Sequence, residues 1–306
     1  QNKLKSLKIN KQTNPPHNPH SAMQINLPSS FRHVSMTDET LARLASLAEE
    51  EPWGLENSLL RKYIIHTYGF LANKQRKDVL QLMHDGRQYL VFNTGLITEG
   101  SFYLIYGIMM KNEGDAGKPW RLLKWETEFE LTHPTACPRL SIKQLPDKAR
   151  YTEAHDDLVF NPSFPCLFNE HHILADGDSH SRFQGALRQL GLSDDNLPQR
   201  LRGVIETMLR ILKAHGHMAV PQYFTDRNSG GAGEVQLLLP LFLQTPRGRR
   251  RQPHLFLPVS REEQVDGSTC YRGRTILTPP MAFANARLIR PVDSLWLPCD
   301  AAAAAA

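Results

Sequence analysis

Gln88 to Lys111 read QYLVFNTGLITEGSFYLIYGIMMK. The texture is short apolar or alternating runs, QYLVFN and SFYLIYGIMMK, punctuated by NTG and EG. WRLLKWETEFEL follows after NEGDAGKP, and all three runs are expected to be strands of a meander. Upstream, the period changes. Thr37-Asp38-Glu39 opens a helix with Leu41, Leu44, Ala45 and Leu47 as its stripe, ended by Pro52, and a second helix is expected from about Glu56 to Leu71. Downstream, LVF, CLF and HHIL continue the strand character to about Leu174. Helices are then expected over Phe183 to Leu190 and Arg200 to His215. Four more strand-like runs, MAVPQYF, EVQLLLPLFL, HLFLPVS and CYRGRTILT, precede a last helix, MAFANARLI, which TPP introduces.

This order does not alternate as βαβ units. It predicts an α+β fold, a mainly antiparallel sheet system with an N-terminal helix pair, central helices and a C-terminal helix. No repeat shows at periods of roughly 20 to 50 residues. Residues 1–30, a basic run followed by NPPHNPH, read as an arm or linker, 31–300 as one domain, and 301–306 as an alanine tail outside the fold.

In 306 residues, 41% are hydrophobic, enough for a sizeable core. Lys and Arg number 36 against 31 Asp and Glu, a formal charge of +5 that suits an anionic partner. Cys137, Cys166, Cys270 and Cys299 form no CxxC pair and read as scattered thiols of a reducing compartment. No apolar run approaches the roughly 20 residues of a membrane span, and no signal peptide is visible. The reading is a cytoplasmic protein without membrane contact, and the start at Gln1 leaves open an upstream domain that has been removed.

Chemistry is concentrated in a few places. NEHHILADGDSH (Asn169 to His180) gathers His171, His172, Asp176, Asp178 and His180, but it is no HExxH pair and fails as a calcium loop because position twelve would be Leu187. A strand turning into a capped helix is expected instead, with no metal. The absence of GxSxG, GxxxxGK[ST] and GxGxxG removes the nucleophile-elbow, P-loop and ordinary dinucleotide readings. Asn93-Thr94-Gly95-Leu96 reads as a turn, of a kind able to receive an anion. Arg247 and Gly248 to Arg251 form a basic patch in which Arg247, Arg249, Arg250 and Arg251 suit phosphate. Tyr223, Phe224 and Phe256 stack bases only if they face outwards; on Leu-rich strands they read as core. In the last helix, Asn285 and Arg287 are polar within an apolar stretch and need partners.

EEEPWGLENSLLRKYIIHTYGFL, VFNTGLITEG with IYGIMMKN, DLVFNPSFPCLFNEHHIL, MAVPQYF with VQLLLPLFL, and YRGRTILTPPMAFANARLIRPVDSLWL together resemble the domain-of-unknown-function 3825 family of prokaryotic proteins. The resemblance runs from about Phe31 to Leu297. It picks out Asn93, Thr94, Gly95, His172, Gln222, Gln236, Asn285 and Arg287 among others. Members are often joined to cold-shock or LOTUS-type modules, so the resemblance implies a role in RNA metabolism. The chain departs from the pattern at Pro279-Pro280 and in its arginine-rich insert.

The expected function is binding of RNA or a nucleotide, without cofactor. The polar cleft is expected from Asn93, Thr94, Gly95, His172, Gln222, Gln236, Asn285 and Arg287, with Arg287 and Arg247 to Arg251 on phosphate. The alternatives are a phosphodiesterase- or nuclease-like enzyme using His172 as acid or base beside Arg287, and an interaction scaffold.

Overall fold

The computed structural model describes residues 27, 31–114, 117–133, 142, 144–225, 233–244, 252–292 and 297. The chain runs through one order of elements twice. In the first pass β1 (Val34–Ser35) leads to α1 (Asp38–Leu47) and α2 (Ser58–Lys74), then to a 3-10 turn at Arg76–Asp78. Strands β2 (Val79–His84), β3 (Arg87–Ile97), β4 (Leu104–Lys111) and β5 (Trp120–Thr127) follow, closed by α3 (Glu128–Thr132). In the second pass β6 (Cys166–Leu167) leads to α4 (Glu170–Ala175), α5 (Gly177–Gln189) and α6 (Leu197–Ala214), then to a 3-10 turn at Gly216–Met218. Strands β7 (Val220–Thr225), β8 (Gly233–Leu241), β9 (Leu255–Glu263) and β10 (Thr269–Gly273) follow, closed by α7 (Pro279–Ile289).

Each pass builds a five-stranded sheet, ordered β1-β5-β4-β3-β2 and β6-β10-β9-β8-β7. In both, four strands form an antiparallel meander and the short leading strand pairs in parallel with the last. The likeness extends to the backbone. The long helices α2 and α6 both start after a left-handed asparagine, Asn57 (φ 56°) and Asn196 (φ 51°), a conformation that asparagine tolerates better than most residues. Both end at a residue of nearly equal dihedrals, Gln75 (−128°, 50°) and His215 (−136°, 58°), before the 3-10 turn. This α+β architecture repeats at a length far beyond the periods scanned in the sequence.

Alternation along the strands gives each sheet two faces. Leu90, Phe92, Ile105 and Trp125 pack under Leu41, Leu44, Leu60 and Tyr68 of α1 and α2, while Val91, Tyr106 and Ile108 on the reverse meet Leu131 of α3. In the second sheet Leu237, Leu239 and Leu257 pack under Phe183, Leu201 and Ile205 of α5 and α6. On its reverse, Val220, Leu238 and Phe256 are covered by Ala282, Phe283 and Ala286 of α7.

Several expectations need correction. The meander begins at Val79 rather than Gln88: Asp85 (φ 48°) and Gly86 (φ 73°) turn β2 into β3, the left-handed pair of a tight hairpin. NTG is no turn, since Asn93 to Leu96 lie within β3 at a register shift. WRLLKWETEFEL is a strand only to Thr127, where a capping box between Thr127 and Glu130 starts α3. LVF falls at the end of a 3-10 turn, and HHIL is helix, not strand. Asn169 caps α4 by accepting from the His172 amide, and Asp176 caps α5 by accepting from Asp178 and Ser179. The polar residues of that stretch therefore start helices. No group of three metal-ligating side chains occurs among the described residues. No described helix is long and apolar enough to cross a membrane.

Candidate functional site

Three rungs cross the outer face of the second sheet. The innermost carries Val220, Leu238 and Pro258, paired in register, with Val220 and Leu238 covered by α7. Two residues further along each strand the side chains become polar: Gln222 faces Gln236, Gln236 reaches Ser260, and Ser260 faces Arg272. The outermost rung sets Phe224 opposite Glu234 and Glu262 opposite Cys270. Beyond the end of α7 this face lies open as a cleft of about 540 Å³, a usual size for a ligand site.

A relay of hydrogen bonds runs across it. Asn285 Nδ2 donates to Gln222 Oε1 (3.1 Å), Gln222 Nε2 to Gln236 Oε1 (2.7 Å), and Gln236 Nε2 to both Glu234 Oε1 (2.7 Å) and Ser260 Oγ (3.1 Å). Ser260 Oγ donates in turn to Glu234 Oε1 (2.8 Å). An ionised carboxylate only accepts, so Glu234 fixes the direction of every amide behind it. Gln222 is wholly buried and pays for its desolvation through both bonds.

At the β10 end, Glu262 accepts from Arg272 Nε (2.6 Å) and Arg274 Nη2 (2.8 Å). The hydrogen bond from Arg272, then that from Arg274, holds the Glu262 carboxyl below its ordinary range. Two guanidiniums against one carboxylate leave a net positive charge, and a guanidinium has five N–H donors, of which these contacts use few. Phe224, 39% exposed, presents its ring at the other end.

The structure brings Gln222, Gln236 and Asn285 together through mutual hydrogen bonds. The other predicted positions that the structure describes lie elsewhere. Asn93 and Thr94 are buried in the bulge of β3: Thr94 Oγ1 donates to the Ile105 carbonyl (2.6 Å), Asn93 Oδ1 accepts from the Gly95 amide (2.9 Å), and Gly95 takes φ +75°. Their polar groups serve the bulge and are closed to a ligand.

Arg287, 4% exposed, is no phosphate clamp either. Its Nε and Nη2 hold Glu51 in a forked ion pair, the latter at 2.6 Å, and the guanidinium lies 4.8 Å from the Tyr63 ring centroid and 5.4 Å from that of Trp53. Tyr63 then donates to the Thr94 carbonyl (2.8 Å). Burial would lower the Arg287 pKa, but the bond to Glu51 and its neighbours hold it above the ordinary value. The residue ties α7 to the first half.

His172 is exposed on α4, whose Ile173 and Leu174 join the core on the α6 side of the sheet. Arg287 belongs to the helix on the opposite face. The two share no pocket, so the enzyme reading's pairing of His172 as acid or base with Arg287 as phosphate-charge stabiliser is not assembled. Arg247, Arg249, Arg250 and Arg251 lie outside the described residues. Glu234, Ser260, Glu262, Arg272 and Arg274 were missed, although the end of β9 carries a signal: the apolar run LFLPV gives way to four successive polar residues, Ser260 to Glu263.

A model of the family described as a domain of unknown function, DUF3825, matches residues 44–296. The chain belongs to this family. Comparison with curated proteins and with solved structures gives no match.

Proposed function

We propose that this domain binds RNA or a nucleotide on the open half of its second sheet. The observation that carries the reading is the contrast between the two halves. Counted from the 3-10 turn, the rung that holds Gln222 and Gln236 corresponds in the first sheet to Leu82 paired with Tyr89, two partly buried residues packed against the apolar reverse-face cluster. The fold accepts apolar side chains there. A fully buried glutamine in a five-member polar relay is thus an addition that the architecture does not require.

The parts suit a nucleic acid. Phe224 offers a ring for stacking, Glu234 at the exposed end of the relay offers a carboxylate oxygen to a base or sugar edge, and Arg272 with Arg274 offers N–H donors to phosphate. The formal charge of +5 favours the same class of ligand.

Fluorescence anisotropy with single-stranded RNA tests this. Binding is expected at low salt and weakens as salt rises, and Arg272→Ala reduces the salt slope by about one. Gln222→Leu, which copies the first sheet, keeps the circular dichroism spectrum and lowers affinity about tenfold. His172→Ala changes neither. Absence of affinity at low salt, or affinity indifferent to salt, contradicts the reading.

A further inference from the structure

We infer that the cleft selects ribose over deoxyribose, with Glu234 as the residue that reads the 2′-hydroxyl. This rests on the nucleic-acid reading above and specifies its substrate class. The argument begins with the register. Phe224 and Glu234 are direct cross-strand partners on the same face of the sheet, and both are exposed. Side chains so paired have Cβ atoms about 5 Å apart, the separation of neighbouring groups within one nucleoside. A base stacked on Phe224 therefore carries its sugar to Glu234.

The carboxylate is prepared for a hydroxyl donor. Its Oε1 already accepts from Gln236 Nε2 and Ser260 Oγ, which fixes the plane of the group. Its Oε2 takes no hydrogen bond from a described residue and stands at the outer rung. Both hydrogens of the Gln236 amide are committed, to Glu234 and Ser260, so the relay behind the carboxylate does not compete for a new donor. A ribose 2′-hydroxyl donates to such an oxygen; deoxyribose leaves it facing a C–H group and desolvated without a partner.

The phosphate end fits the same orientation. Arg272 and Arg274 sit three strands from Phe224, about 14 Å at the usual strand spacing. That span exceeds one nucleoside, so the cleft is laid out for a short single strand whose backbone runs from β7 to β10. Glu234 lies next to Phe224 and away from the arginines, where its negative charge meets the sugar and not the phosphate.

The experiment compares one sequence as oligoribonucleotide, oligodeoxyribonucleotide and 2′-O-methyl RNA, by anisotropy on the full chain and on Glu234→Ala. The exposed position of Glu234 leaves the core intact, which circular dichroism checks. The wild type is expected to bind RNA about tenfold more tightly than the other two, the usual worth of a hydrogen bond to a charged group. In Glu234→Ala the three affinities converge. Ser260→Ala, which loosens the carboxylate without removing it, gives a preference between these limits. Equal, salt-dependent affinities for RNA and DNA in the wild type overturn the ribose inference and leave nucleic-acid binding standing. A preference that survives Glu234→Ala removes the residue from that role. Failure of all three strands to bind at low salt overturns the binding reading itself.

Discussion

Arg287 shows what a charge does when it is buried between two halves of a chain. Taking it and Glu51 out of water costs several kcal/mol each, and only the forked pair and the rings of Trp53 and Tyr63 offset this. Arg287→Met is expected to destabilise the fold by about 3 kcal/mol, because Glu51, its side chain only 15% exposed, is left unpaired. Glu51→Leu combined with Arg287→Met recovers most of that loss in urea denaturation; a double variant as unstable as the single one would contradict the pairing. Polar residues were visible in the sequence at this scale, but their partners were not. Arg287 and Asn285 stand two residues apart on one helix, and Asn285 bonds Gln222 of the second sheet while Arg287 faces Glu51. Nothing local in FANAR separates a ligand contact from an interior ion pair formed across 236 positions of sequence.

At the scale of elements, close approach between strands explains β4. Gly107 pairs with Phe92 on one side and Trp125 on the other. A Cβ there would lie 2.6 Å from Phe92 Cζ and 2.8 Å from Trp125 Cζ3, so the two rings close over a position that only glycine fills. Gly107→Ala is expected to cost about 1–3 kcal/mol through overpacking. An unchanged denaturation midpoint would show that the rings move aside freely. The long amphipathic helices and the apolar strands were legible because their periods are strong. α4 was not, since HHIL has no length over which a helical period could show, and only the cap at Asn169 marks it. The Asn93–Leu96 stretch misled for a related reason: glycine with φ +75° serves a turn and a bulge equally.

Across the whole molecule, the repeated order of elements places one sheet closed on both faces beside another that is half open. Buried tyrosines bind the assembly together. Tyr63, Tyr68, Tyr151 and Tyr223 belong to or pack against the first core, and burial raises the pKa of each; Tyr106 is pushed up to about 12. Folding thus favours the neutral phenol. The associated stability is complete below the ordinary phenol value near 10 and is lost as pH rises through the folded values. Denaturation midpoints are expected to fall between pH 10 and about 12 while phenolate absorbance rises; ionisation of Tyr106 near 10 in the intact fold would contradict it. The repeated order was hidden from the sequence because the two halves share backbone order but differ in side chains, Leu82 and Tyr89 in one half against Gln222 and Gln236 in the other.

That difference is the basis for placing a ligand on the second sheet. The most direct measurement is photo-crosslinking of single-stranded RNA to the full chain, with the modified residues located by mass spectrometry. The account predicts crosslinks at Phe224 and its neighbours on β7 and β8, lost on addition of excess unlabelled RNA. Specific crosslinks confined to the first sheet, or to the α4 surface around His172, would contradict it.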